Sequence, residues 1–298
     1  MIDRACISLN ARCNLNCIYC HFAAKKNNSN TKANEFSCEE VTLFCQNLYS
    51  YIKKHNISLF KLGIVGAGEP LLSFPQLKAI VEFFESSDLK NNIRMYTISN
   101  GTLLNDEIEI VDYFFNHKDI IELNISLDGD EPINRRLRGS FPDLSKYFNK
   151  FGCMPRINAV VTKEVINDQD RILSFFIKNG FDRINFSKVF ATDDSAISVS
   201  NQEYNSFLIH AKELGIMSRQ NIIDNKYDCA KYGRLCGVGK NNIYIAKTGV
   251  YPCGRFMDIK VYQIGSWRNS FDSLEESLSR FIPCPRGECY FEYNKVEK

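Results

Sequence analysis

"ACISL" (residues 5–9) runs directly into "NARCNLNCIYCHF" (10–22), so a short strand-like segment is followed at once by a loop carrying Cys13, Cys17 and Cys20. The spacing is Cys-x3-Cys-x2-Cys. Three thiolates this close in sequence can hold three corners of a cubic iron–sulfur cluster and leave the fourth iron without a protein ligand. An iron with an open position can bind a small molecule directly, which a fully ligated electron-transfer cluster cannot do. Two other readings stand beside this one. With His21 as a fourth ligand the same cysteines could hold zinc. They could also be buried free thiols, because cysteine packs as a small hydrophobe.

Outward from this loop, strand-like and helix-like segments alternate. Further strands are expected at "FKLGIVG" (60–66), "IRMYTIS" (93–99), "IIELNISL" (120–127), "RINAVVT" (156–162) and "RINFSKV" (183–189), all short and rich in β-branched residues. Helices are expected between them. "SCEEVTLFCQNLYSYIKK" opens with Ser37 and Glu40 in capping-box spacing. "FPQLKAIVEFFESS", "NDEIEIVDYFFNH", "DLSKYFNKF" and "NDQDRILSFFIKNG" follow, the last closing on a glycine. Repeated strand–helix units imply a parallel sheet with right-handed crossovers. Six units suit an α/β fold of partial (β/α)6, TIM-like type, with its site at the C-terminal strand ends. The Cys13 loop lies where that rule places a site. A helix is expected around 202–214, and then the character changes: a hairpin-like stretch, "NNIYIAKTGVYPCGRF", sits among Gly, Tyr and Cys residues. The expected division is a core over 1–215 and a small Cys-rich α+β domain over 216–298.

Composition narrows the function classes. The chain has 298 residues, 24% charged, and a formal net charge of +2, so no charge excess argues for nucleic acid or an anionic membrane surface. No apolar run is long enough to span a bilayer. The first residues lack the blocks of a signal peptide, so a cytoplasmic location is expected. In a reducing compartment, 12 cysteines point to metal or catalytic roles rather than disulfides.

"VGAGEPLL" (65–72) ends the second strand. Gly66 and Gly68 allow close approach of a ligand to the backbone, and Glu69 sets a carboxylate where it could meet an ammonium group. A plain turn before a helix is the simpler alternative. "SNG" (99–101) and "SLDG" (126–129) end the third and fourth strands, and an arginine-rich stretch, "NRRLRG", follows. Together with the Cys loop, these segments resemble the radical S-adenosylmethionine (SAM) enzymes over residues 5 to about 190. The resemblance implies a SAM-binding [4Fe–4S] cluster on Cys13, Cys17 and Cys20. It implies a Gly-Gly-Glu-Pro-like segment for the SAM amino group at Gly66, Gly68 and Glu69, with Ala67 as a departure. It implies an adenine contact from Tyr19, ribose-side contacts from Ser126 and Asp128, and Arg138 against the SAM carboxylate. An arginine fork suits that last role because it can bind a carboxylate bidentately. Asn100 joins this cofactor-binding set, as does Asn158, which with Ser187 is a candidate for lining the pocket. Arg135 and Arg136 read as a solvated helix face.

Cys236, Cys253, Cys284 and Cys289 form a second set, enough to ligate another [4Fe–4S] cluster completely. The layout resembles the Twitch domain, the short form of the SPASM extension, which carries one auxiliary cluster. A four-thiolate zinc site is the alternative, and Cys229 lies close enough to replace one ligand. Cys38 and Cys45 are expected to be packing residues within a helix. Cys153 and Cys229 are candidates to donate a hydrogen atom to a substrate radical.

The resemblance therefore implies reductive cleavage of SAM and hydrogen abstraction from a substrate. The expected substrate is a ribosomally made peptide that is cross-linked or epimerised. A small alcohol such as an aminocyclitol or sugar is the alternative, and a flavodoxin- or ferredoxin-type protein is the expected electron donor. A non-catalytic metal-binding or electron-transfer module is a reading of another class. It would not need Glu69 or Arg138.

Overall fold

The computed structural model describes residues 1–20, 22, 34–104, 108–189, 196–216 and 238–281. Its centre is one eight-stranded sheet in the order β6-β5-β4-β3-β2-β1-β7-β8. The six expected strands are all present as β1 (Arg4–Ile7), β2 (Phe60–Ile64), β3 (Ile93–Ser99), β4 (Ile121–Ser126), β5 (Arg156–Val161) and β6 (Ile184–Lys188). Each pairs in parallel with the next. The six strands follow one another in consecutive order with no reversal, unlike a doubly wound sheet. Right-handed crossovers in that order place the connecting helices on one face.

The helices are α1 (Cys38–Lys54), α2 (Phe74–Glu85), α3 (Ile108–Asn116), α4 (Glu131–Arg138), α5 (Ser145–Phe151), α6 (Lys163–Asn167), α7 (Gln169–Lys178), α8 (Asn201–Glu213) and α9 (Phe271–Leu278). The capping box before α1 forms as its spacing requires: Ser37 Oγ accepts from Glu40 N, and the Glu40 carboxylate accepts from Ser37 N. Helix α4, expected only as a solvated face bearing Arg135 and Arg136, starts on an Asp130 cap and stops at Gly139, where φ is 82° and an L side chain would be strained. Arg135 and Arg136 are exposed and paired with Glu131 and Glu164, as a solvated face predicts.

Strand register divides the sheet into two unlike faces. Ile7, Ile64, Thr97, Leu123, Ile157 and Phe186 are buried on the outer face, all but Thr97 in one apolar cluster with helix residues such as Leu48, Leu77, Phe114 and Phe176. The inner face presents Cys6, Tyr96, Asn124, Ser126, Asn158 and Asn185, and most of these are only half-buried. A parallel strand covered on both faces would be apolar throughout. Here only one face is, which leaves a polar inner wall.

The expected hairpin forms from β7 (Asn242–Ala246) and β8 (Gly249–Tyr251). Its location differs from the expectation of a separate small domain, because β7 pairs in parallel with β1 and extends the core sheet. The reason is hydrogen bonding: β1 would otherwise offer a bare edge. Helix α9 then returns to α1, where Tyr51 donates to Glu275 at 2.6 Å and Phe271 packs on Phe44 and Phe60. Lys247, in the β7–β8 turn, lies over both the Phe36 and Trp267 rings, 5.3 and 5.6 Å from their centroids, and pairs with Glu40. The boundary expected near 215–228 lies largely outside the described residues. Among the described residues, no helix is long and apolar enough to cross a membrane.

Candidate functional site

The Cys13–Cys20 loop leaves β1 and is stapled to the C-terminal ends of β2, β3 and β4. Asn10, 3% exposed, starts the chain of contacts. Its Oδ1 accepts from Arg12 N at 2.8 Å, and its Nδ2 donates to Glu69 O at 3.1 Å and to Ser73 Oγ at 2.6 Å. Glu69 N donates to Arg12 O at 2.6 Å. Asn14, just after Cys13, accepts from Asn100 Nδ2 at 2.8 Å. Between Cys17 and Cys20, Ile18 N donates to Leu137 O at 2.9 Å and the Tyr19 hydroxyl donates to Asp128. Both flanks of Cys13 and both residues between Cys17 and Cys20 are thus tied to the scaffold.

The three cysteines are free and half-buried. Burial raises the Cys17 thiol above its ordinary value; Arg138 opposes that, while Cys20 and Cys13 add to it, so the three sulfurs feel one another. Among the described residues, no three of His, Cys, Asp and Glu close into the shell of a single metal ion. His21, the fourth ligand of the zinc alternative, lies outside the described residues.

The glycines of the 65–72 segment make room for the protein itself. A Cβ on Gly68 would stand 2.0 Å from Asn10 Oδ1 and 2.3 Å from Arg12 O. One on Gly66 would stand 2.2 Å from Ser8 Oγ and 2.5 Å from the Tyr244 hydroxyl. The expectation that these glycines serve a ligand's approach is therefore answered first by the Cys loop and β7. Ala67 is tolerated because its methyl is buried with Tyr244, Ala246 and Met257. Gly68→Ala is expected to overpack against backbone that cannot yield cheaply, lowering stability by about 1–3 kcal/mol and reducing iron loading. Thermal unfolding and iron analysis check both, and an unchanged melting temperature would refute the clash.

Three residues expected to contact a ligand are engaged by the protein itself. The Glu69 carboxylate, offered to an ammonium in the sequence reading, is 3% exposed and accepts from the backbone N–H of Leu71 at 3.1 Å and of Asn100 at 2.8 Å. It is a clamp between strand ends, and its burial raises its pKa against those hydrogen bonds. Asp128, assigned to the ribose side, is fully buried. Its Oδ1 accepts from Arg138 Nη2 at 2.9 Å and Val160 N at 2.8 Å, and its Oδ2 accepts from Arg138 Nε at 2.8 Å and from Tyr19. A carboxylate offers about four acceptor sites, so none is left for a ribose. The bidentate fork of Arg138 is taken by Asp128 rather than left open for a SAM carboxylate. Burial works against the Arg138 charge, but Asp128 more than compensates and holds it protonated. Tyr19 lies against the Arg138 guanidinium, 5.5 Å from ring centroid to Cζ, and burial followed by Asp128 keeps its hydroxyl protonated.

Other expected residues fall in different places. Ser126 ends β4 on the inner face beside Asn158 of β5. Cys153 is exposed in the turn between α5 and β5, at the N-terminal end of the strands and away from the Cys13 loop, so it is not placed to donate hydrogen there. Cys45 is buried as a packing residue, whereas Cys38 is exposed at the start of α1. Of the second set only Cys253 is described, half-buried beside Tyr244 and Met257. Cys229, Cys236, Cys284 and Cys289 lie outside the described residues. Sequence reasoning missed Asn10, Asn134 (which accepts from Asp128 N at 2.9 Å) and Tyr244. For Asn10 a signal existed, because it stands between the strand and the cysteines.

Comparison with known proteins agrees with this arrangement. Residues 7–151 match the model of the Radical SAM superfamily. An uncharacterized protein of Methanocaldococcus jannaschii, MJ0907, is 28% identical over 257 residues, covering 80% of this chain and 82% of that protein. Among solved structures, native anSMEcpe with bound AdoMet aligns with a TM-score of 0.73 at 18% identity, covering 94% of this chain and 82% of its own. Streptococcus suis SuiB bound to its precursor peptide SuiA aligns with a TM-score of 0.69 at 20% identity, covering 94% of this chain and 67% of its own. The strand-end site built around Cys13, Cys17 and Cys20 thus lies within residues 7–151, the stretch that matches the model of the Radical SAM superfamily.

Proposed function

We propose that this protein is a SAM-dependent radical enzyme that acts on a peptide. The observation that carries the reading is the stapling of the Cys13–Cys20 loop over the C-terminal strand ends, above a polar inner wall. The donor set suits the cofactor: three free, half-buried thiols share one loop, and both flanks of Cys13 are tied to the scaffold. When bound, a [4Fe–4S] cluster with one open iron supplies the electron that cleaves the SAM sulfonium to a 5′-deoxyadenosyl radical.

The chain's own residues do the rest. Cys13, Cys17 and Cys20 hold the cluster. Asn10, Glu69 and Asn100 fix the height of the loop over β2 and β3. Asp128 orients Tyr19 and Arg138, so the Tyr19 ring is the wall residue nearest to Cys20 for an adenine. Ser126 and Asn158 line the inner face below. Gly66, Gly68 and their neighbours present backbone rather than the Glu69 carboxylate to an amino group. In this reading Cys236, Cys253, Cys284 and Cys289 hold an auxiliary cluster, and a flavodoxin- or ferredoxin-type protein supplies the electron. The peptide class is supported by the likeness to SuiB, whose structure holds a precursor peptide.

The test is anaerobic reconstitution with iron and sulfide, followed by incubation with SAM and dithionite. Formation of methionine and 5′-deoxyadenosine is expected. Iron-replete protein that leaves SAM intact would end the reading.

A further inference from the structure

The inner face of β4–β6 carries two polar atoms with no partner among the described residues, Asn124 Oδ1 and Asn158 Nδ2. Asn124 is 4% exposed. Strand register places both side chains on the same face, since Ser126 pairs with Asn158 and Asn124 lies two residues before Ser126 on its strand. Among the described residues no helix covers that face, because the consecutive crossovers lie on the other side.

A buried polar atom left unpaired is costly, so such atoms call for an explanation beyond folding. The orientation of Asn158 is set by its neighbour: Asn185 Nδ2 donates to Asn158 Oδ1 at 3.1 Å. That contact uses the acceptor end of Asn158 and turns the donor end free. The wall therefore holds one unpaired acceptor and one unpaired donor, both shielded from solvent, on adjacent strands. An amide group is the complement of this pair, because it carries one N–H donor and one C=O acceptor.

We propose that Asn124 and Asn158 bind an amide group of the substrate, with Asn124 Oδ1 accepting its N–H and Asn158 Nδ2 donating to its carbonyl. Asn185 is the positioning residue that holds Asn158 in register. A hydroxyl can also donate and accept, so the choice of a peptide over a polyol is not made by this pair alone. The inference deepens the peptide reading above and rests on it for the identity of the substrate.

The test uses the full chain with its cluster reconstituted. Crystals are soaked in N-methylacetamide, the smallest molecule containing a peptide group. One ordered molecule is expected between Asn124 and Asn158, and its loss is expected in Asn158→Leu. Water alone at that position in the wild type would overturn the proposal. Asn124→Leu is expected to melt no lower than wild type, because it removes an orphaned group, whereas Asn158→Leu also strands Asn185 Nδ2. A clear fall in the melting temperature of Asn124→Leu would make that asparagine structural and overturn the assignment. Asn124→Leu is expected to bind SAM within about twofold of wild type by equilibrium dialysis. A tenfold or larger loss, about 1.4 kcal/mol, would assign the pair to the cofactor instead. Wild type that binds no SAM would remove the enzyme reading, while the soak would still judge the amide site by itself.

Discussion

Asp128→Ala is expected to destabilise the protein by about 3–5 kcal/mol, the usual consequence of leaving one partner of a buried ion pair uncompensated. Asp128 is fully buried and Arg138 nearly so, with side-chain exposures of 0% and 9%. The substitution strands the guanidinium, the Val160 N–H and the Tyr19 hydroxyl together. The damage should reach the Cys loop, because Tyr19 lies between Cys17 and Cys20. Denaturant unfolding reads the first effect and iron content after reconstitution reads the second. A loss of under about 1 kcal/mol would show that the Asp128 hub does not hold the loop. A double replacement, Asp128→Leu with Arg138→Met, should recover much of the stability, because removing both charges avoids the unpaired one. It should not recover iron loading, since Tyr19 still lacks its acceptor.

Replacing Cys13, Cys17 and Cys20 together with alanine is expected to remove about four irons per chain and to reduce 5′-deoxyadenosine formation to background. The same variant separates the cluster from the zinc alternative. A wild-type protein that holds about one zinc and no iron at this loop would place it among structural sites. The irons that survive in the variant report on the C-terminal cysteines. About four remaining would support a second cluster on Cys236, Cys253, Cys284 and Cys289. None remaining would remove the auxiliary cluster from the proposal. The two predictions are distinguishable, because the cysteine variant should lose iron with little loss of stability in the apo protein, whereas Asp128→Ala should lose both.

The strands and most helices were legible because their signals are local. Short runs rich in β-branched residues, and Ser37 with Glu40 at capping distance, act within a few residues of chain. The cysteine spacing was legible for the same reason. The direction of each polar side chain was not. Glu69 and Asp128 looked free for a ligand, because a carboxylate in a sequence carries no record of what already satisfies it. In the fold, Glu69 meets the Asn100 backbone 31 residues away and Asp128 meets Tyr19 109 residues away. The hairpin was likewise legible as a hairpin but not as a neighbour of β1, because Tyr244 and Cys6 become partners only across more than two hundred residues.

The sequence by itself determined an alternating α/β chain, the three-cysteine loop after its first strand, and the order of motifs along the strand ends. Tertiary structure alone decided that Asp128 and Arg138 face each other, that Glu69 clamps backbone, and that β7 extends the sheet. The physical reason is that local patterns set backbone conformation, whereas a buried charge or strand edge is satisfied by whatever distant group the fold brings to it.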